Sequence, residues 1–318
     1  MDPRSEIKVD YAPLFRIYNN GRIDRFTGNT KTPAGFDPVT NVTSKDVTVD
    51  STTGVSARLY LPTFLKTRRL PILVYYHGGV FCVESASSPP YHFFLNLLVS
   101  RANIVAVSVD YRLAPEHLIP AAYDDSWAAL KWALGSGSDA WLRDYGDFER
   151  VFLAGDSAGG NITHNMAMRA GAEGIALEGI QLVHPFFWGT ERIGSETMLK
   201  AGTVKFIANL WTAVTTPDVG PDDPRFNPIA KSSPSLKGLG CRRAMVCVAD
   251  CDRLAERGRA YCEVLRGSGW KGEVELVESK GEHVFHLKSP EGEEALALLK
   301  KMVEFFTRGR GQDFKSNL

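Results

Sequence analysis

The chain has 318 residues, 44% hydrophobic and 23% charged, with 37 Lys plus Arg balancing 37 Asp plus Glu. This is an ordinary globular composition with enough apolar residues for a sizeable core, and the neutral balance argues against a nucleic-acid or anionic-membrane partner. No apolar run reaches bilayer-spanning length, the charged N-terminus has no secretory apolar core, and Cys82, Cys241, Cys247, Cys251 and Cys262 are odd in number and scattered, so the expectation is a cytoplasmic protein with free thiols.

Residues 1 to about 45 carry Pro13, Pro33 and Pro38 with few periodic apolar positions. They read as an irregular arm with one helical turn around Pro13 to Tyr18. Lys45 to Val49 and Ser56 to Tyr60 alternate apolar with polar about a turn at Ser51 to Gly54, which predicts an antiparallel hairpin. Leu70 to Tyr76 and Asn103 to Val109 are continuous apolar runs of the kind buried on both faces of a parallel sheet. Tyr91 to Ser100 and Pro120 to Leu134 read as helices, the second placing Ala121, Trp127, Leu130 and Leu134 on one face.

Arg150 to Met168 carries the strongest local signal. The strand Val151 to Ala154 runs into G-D-S-A-G-G, with Gly155 and Gly159 flanking Ser157 at the G-x-S-x-G spacing. Small residues suit a sharp strand-to-helix turn because neighbouring backbone comes into contact there. The following helix puts Ala158, Ile162, Met166 and Ala170 on one face and aims its N-terminal N–H groups at whatever Ser157 attacks. A flexible glycine turn is the plain alternative; the flanking strand and amphipathic helix argue for a nucleophile instead. The sequon at Asn161 falls inside this helix, and the one at Asn41 would be silent in the cytoplasm.

Strand and helix patterns continue to alternate: Ile180 to His184, Ala244 to Val248, Arg257 to Gly267, Val274 to Val277 and Glu293 to Phe306. Between them, Trp188 to Gly240 is an irregular insertion with a helix near Thr197 to Val214. Insertions after strand ends commonly build lids over α/β sites. The pattern predicts one α/β domain over residues 1–318, with a mostly parallel sheet covered on both faces. The terminal Ser316-Asn317-Leu318 is at most a degenerate peroxisomal address and leaves the cytoplasmic expectation in place.

Acyl transfer by a serine needs a base, a group to orient the base, and donors for the oxyanion. His77-Gly78-Gly79-Val80-Phe81 follows a strand end, where glycines let backbone N–H groups approach a developing charge; the N–H of Ala158 is the matching second donor. Asp252 and His283 each follow a later strand, giving the chain order Ser, Asp, His. Asp250 remains as a cap or solvated charge and His286 as a rival base. No metal or other cofactor is expected, because His283 and His286 have no third ligand nearby.

Together, H-G-G-V-F at His77, D-Y-R-L-A-P-E-H at Asp110, A-A-Y-D-D at Ala121, G-D-S-A-G-G-N-I at Gly155, H-P-F-F at His184, D-R-L-A-E-R-G at Asp252 and H-V-F-H-L at His283 resemble the plant carboxylesterases of the hormone-sensitive-lipase type, which have the α/β-hydrolase fold. The resemblance extends over nearly the whole chain. It implies a triad of Ser157, Asp252 and His283, selecting Asp252 over Asp250 because Asp252 begins the D-x-L-x-[DE] pattern. It also implies an oxyanion hole from Gly78, Gly79, Val80 and Ala158, and a cap from about 1–45 and 188–240. A substrate pocket is then expected among Phe81, Asp156, Phe187, Trp188, Trp211 and Val284. The partner is a small or medium apolar or aromatic ester, and a homodimer is compatible with the chain. Val80, where many relatives have a third glycine, should narrow the pocket. Relatives that eliminate water or acetate make a lyase the alternative; gibberellin receptors share the fold but lack the catalytic histidine that His283 supplies here.

Overall fold

The continuous apolar runs become the middle of a nine-stranded sheet. In the computed structural model, which describes residues 6–63, 69–135, 139–216 and 218–308, the chain begins with β1 (Ile7–Tyr11), β2 (Phe15–Tyr18) and β3 (Ile23–Arg25), paired antiparallel in a small sheet of their own. β4 (Phe36–Asp37), β5 (Val42–Asp50) and β6 (Val55–Pro62) then form the antiparallel edge of the main sheet. The α/β part follows as β7 (Leu70–Tyr76), α1 (Pro89–Ala102), β8 (Val105–Asp110), α2 (Ala121–Leu134), α3 (Ala140–Tyr145), β9 (Gly146–Asp156), α4 (Ala158–Ala172) and β10 (Leu177–Val183). It ends with α5 (Ala201–Val214), β11 (Cys241–Ala249), α6 (Ala255–Gly267), β12 (Glu273–Ser279), α7 (Phe285–Lys288) and α8 (Glu293–Thr307).

The strand order is β12-β11-β10-β9-β7-β8-β6-β5-β4, parallel from β12 through β8. All seven residues of β7 are buried, because helices cover both faces. Each such Leu, Ile or Val is worth about 1.5–3 kcal/mol of apolar burial. Two apolar clusters result: α2, α4 and α6 pack on one face, α1 and α8 on the other. From β7 the chain steps outward to β8, then returns to the far side of β7 to place β9. The order therefore reverses between β7 and β9, and ligands of open α/β sheets bind at the carboxyl ends of strands flanking such a point.

Several boundaries differ from the sequence expectation for physical reasons. The turn expected at Pro13 to Tyr18 is instead strand β2, whose Phe15 is fully buried while Arg16 pairs with Asp10 across the small sheet. Asn103 is not in a strand; it is the left-handed C-cap of α1 at φ 51°. The helix expected from Thr197 is split into a 3₁₀ turn, Gly194–Met198, and α5, because Lys200 is extended (φ −61°, ψ 143°). The terminal Ser316-Asn317-Leu318 lies outside the described residues.

Candidate active site

Ser157 sits between β9 and α4 at φ 52° and ψ −116°, a costly backbone for a non-glycine residue. The surroundings hold it there. Its N–H donates to the Val183 carbonyl on β10 (2.9 Å), and its own carbonyl accepts from Asn161 and Phe186. A Cβ at Gly159 would run into the Tyr76 carbonyl, and one at Gly155 into the Gly159 backbone, so the two flanking glycines are required by close approach. Asn161, a sequon residue, is buried: its side chain accepts from Tyr123 Oη (2.6 Å) and donates to the Phe186 and Arg225 carbonyls.

His283 Nε2 lies 2.9 Å from Ser157 Oγ, and His283 Nδ1 lies 2.7 Å from Asp252 Oδ2. These three residues come from the carboxyl ends of β9, β12 and β11, brought together by parallel register. The other oxygen of Asp252 accepts from the Leu254 N–H (3.0 Å). Burial would raise its pKa, but the neighbouring His283 and these hydrogen bonds hold it below the ordinary carboxylate value. Asp252 is thus ionised and orients a proton on His283 Nδ1, leaving Nε2 to face the serine.

Asp250 has a separate part. Its carboxylate accepts from the Gly281 N–H (2.8 Å), tying the loop after β11 to the loop that carries His283. His184 closes the same loop from below: burial pushes it down to about 3, so its neutral Nδ1 accepts the Val284 N–H (2.9 Å). His286 is buried beneath and meets Phe94 edge-on, with no hydrogen-bond partner on either ring nitrogen among the described residues. His184, Asp252 and His283 also bring ligand-type atoms within 4.8 Å of one another, but the hydrogen bonds above occupy one atom of each.

The loop after β7 carries the residues expected to supply oxyanion donors. Gly79, Val80 and Phe81 all have positive φ, at 99°, 54° and 60°. The Gly79 carbonyl accepts from the Cys82 and Val83 N–H groups (2.9 and 3.0 Å), which curls the loop over Ser157. Among the described residues the N–H groups of Gly79, Val80 and Ala158 have no acceptor. Gly78 departs from the sequence expectation: its N–H already donates to Tyr91 Oη (2.8 Å), so it is spent on holding the loop. The run at Asp110 supports this loop: Tyr111 stacks on His77 (4.2 Å, 10°) and donates to the His77 carbonyl (2.7 Å), while Arg112 pairs with Asp125 of the run at Ala121.

A cavity of about 390 Å³ opens beside Ser157 and His283, lined by Val80, Phe186, Ile207, Leu210 and Leu254, with Arg253, Glu282 and Lys288 at its mouth. Of the residues expected to line a pocket, Phe81, Phe187, Trp188 and Trp211 are core instead, because they pack against one another's neighbours: Phe81 edge-on to Tyr123 and Trp211, Phe187 on Tyr261, Trp188 under Arg257, and Trp211 on Phe226. Asp156 points away from the cavity, into Tyr75 and Tyr91. Val284 flanks His283 and is held through its N–H by His184 Nδ1. Ile207, Leu210 and Leu254 escaped the sequence reading; the apolar stripe of α5 was the signal that could have found the first two.

The sequence profile of the alpha/beta hydrolase fold family matches residues 73–287. Tuliposide A-converting enzyme 1 of Tulipa gesneriana is 47% identical over 307 residues, covering 94% of this chain and 78% of that enzyme. Probable carboxylesterase 2 of Arabidopsis thaliana is 42% identical over 309 residues, covering 96% of this chain and 98% of that protein. Among solved structures, the hyperthermophilic esterase from the archaeon Pyrobaculum calidifontis superposes with a TM-score of 0.71 at 28% identity, over 83% of this chain and 85% of that one. The chain therefore belongs to the plant carboxylesterases of the hormone-sensitive-lipase type, within the α/β-hydrolases, and is a carboxylic ester hydrolase.

Proposed function

We propose that Ser157 is the nucleophile toward small to medium esters with an apolar or aromatic acyl group. The observation that carries this reading is the continuous hydrogen-bond line Ser157–His283–Asp252 at 2.9 and 2.7 Å. His283 takes the Ser157 proton as the hydroxyl oxygen attacks the ester carbonyl. The carbonyl oxygen becomes an oxyanion, met by the N–H groups of Gly79, Val80 and Ala158. Collapse expels the alcohol, which takes the proton from His283, and leaves an acyl group on Ser157. Water, deprotonated by the same histidine, then releases the acid and restores the serine.

The apolar lining and modest volume of the cavity support the substrate class. A cytoplasmic address is part of the same proposal, supported by five free cysteines, four of them buried; among the described residues no helix is long and apolar enough to cross a membrane. A second reading, elimination rather than hydrolysis, draws support from the tulip relatives, whose names give conversion of tuliposide A. Turnover of short p-nitrophenyl esters by the parent and by Ser157→Ala decides the first point. The account expects a loss of roughly 10⁴-fold or more in the variant, since triad members act as a unit; near-normal turnover would remove Ser157 from the mechanism.

A further inference from the structure

The oxyanion loop rests on a chain of buried hydrogen bonds that the steps above do not use. Asp156, next to the nucleophile but facing the opposite way, is 1% exposed. Its Oδ1 accepts from Tyr75 Oη on β7 (2.8 Å) and its Oδ2 from Tyr91 Oη on α1 (2.9 Å). Because the Tyr91 proton is committed to the carboxylate, its oxygen is left with lone pairs to present. One accepts the Gly78 N–H at 2.8 Å. A Cβ at Gly78 would stand 2.5 Å from Asp156 Oδ2 and 2.9 Å from Tyr91 Oη, so both groups press against the Gly78 Cα.

This support is placed where the loop needs it. Three successive residues with positive φ, two of them not glycine, persist only if their surroundings over-determine them. The Tyr91 bond fixes the peptide entering the run at Gly78, and the Cys82 and Val83 N–H groups fix the one leaving Gly79. The unpaired N–H groups of Gly79 and Val80 lie within and just after these clamps.

Resting on the serine esterase reading, we infer that Asp156 and Tyr91 are positioning residues for the oxyanion hole: Tyr75 and Asp156 orient the Tyr91 hydroxyl, which holds Gly78 so that the next two N–H groups face the developing charge. They touch no reacting atom. They set where the donors stand when the tetrahedral intermediate forms, and that intermediate depends on donor position within tenths of an ångström.

Tyr91→Phe tests this, since it keeps the ring against Tyr75 and His77 and removes only the hydroxyl. With p-nitrophenyl acetate, kcat should fall by about 10- to 100-fold while KM stays within about twofold, a smaller loss than deletion of an oxyanion donor itself. A trifluoromethyl ketone, whose adduct on Ser157 carries an oxyanion, should lose affinity by the same factor. Asp156→Asn, whose amide oxygen can still accept from Tyr91, should lose less than Asp156→Ala. Tyr76→Phe removes a buried hydroxyl from the adjacent position of β7, bonded to the Ser126 carbonyl, and should change thermal stability but neither kcat nor ketone affinity. If Tyr91→Phe does not fold, the two Asp156 variants carry the same comparison. Parent-like kcat and ketone affinity in the folded variants, whatever their melting temperatures, would overturn the inference. A parent protein that neither hydrolyses an ester nor binds the ketone would overturn the esterase reading, and the inference with it.

Discussion

Asp250 and Asp252 are two residues apart on the loop after β11 and face different partners: Asp252 takes His283 Nδ1, whereas Asp250 takes the Gly281 N–H. Asp252→Asn should therefore cost on the order of 10⁴-fold in kcat by mis-setting the imidazole tautomer. Asp250→Asn keeps an amide oxygen that can still accept the Gly281 N–H, so the loss expected from any looser placement of His283 is about tenfold at most. Equal losses in the two variants would contradict the division of roles. A second residue-scale consequence concerns Asp156, which burial raises to about 6 from an ordinary 3.8. The folded protein then binds the proton more tightly than the unfolded chain, so this group's stabilisation is complete below pH 3.8 and is lost as pH rises through 6. The stability of the parent relative to Asp156→Asn should fall by up to about 3 kcal/mol between pH 4 and pH 7. Denaturant unfolding at several pH values measures this, and a difference independent of pH would contradict it. The chain order Ser, Asp, His was legible in the sequence because each follows a predicted strand, while the choice of Asp252 over Asp250 came from the family pattern. The part played by Asp250 was not, since a cross-loop bond to a backbone N–H leaves no periodic or motif signal, and neither was the direction in which Asp156 points.

Among the elements, the arm departs furthest from what its sequence suggests. Its strands are three to five residues long and mostly half-exposed, so neither alternation nor apolar runs announce them. They nevertheless bridge two parts of the site. Arg25 at the end of β3 donates to the Cys82 carbonyl of the oxyanion loop (2.6 Å), to the Ala114 carbonyl (3.0 Å) and to Glu116. Tyr11 Oη donates to the Asn209 carbonyl on α5, whose Ile207 and Leu210 line the cavity. Arg25→Ala should lower both stability, by about 1–3 kcal/mol for the lost charged hydrogen bonds, and kcat, because the loop loses one of its ties. Thermal melts and kinetics on one ester check this together. A variant with parent stability and turnover would place the arm outside the machinery. By contrast, α2, α4, α6 and α8 were readable because each turns a regular apolar stripe to the sheet, and β7 because all its side chains are buried.

At the scale of the whole molecule, parallel register brings four strand ends to one rim, and the reversal of order between β7 and β9 opens the crevice there. The alternation of strands and helices made this topology legible. The identity of the cavity lining was not, because large aromatic residues of segment 188–240 join the core on the α2, α4 and α6 face: Trp211 stacks on Phe226 at 4.5 Å and meets Phe81, and the buried Arg257–Glu196 pair fastens the segment to α6. Aliphatic side chains of α5 and Val80 are left to line the cavity. Val80→Gly should raise kcat/KM for longer acyl chains by about tenfold relative to acetate, the range a few methylenes are worth in an apolar pocket. An unchanged chain-length profile across p-nitrophenyl acetate to octanoate would show that Val80 does not limit the acyl site.

Ester hydrolysis at this site requires Ser157 to become covalently acylated, with His283 as the base. An alkyl fluorophosphonate with a mass tag should label the folded protein once, on the peptide containing Ser157, and the label should appear at a rate that falls steeply in His283→Ala. One adduct at Ser157, loss of ester hydrolysis in step with labelling, and protection by a slowly hydrolysed ester are expected. Folded protein that takes up no label at Ser157, yet accelerates loss of water or a carboxylic acid from an ester, would contradict acylation of Ser157 and establish elimination in its place.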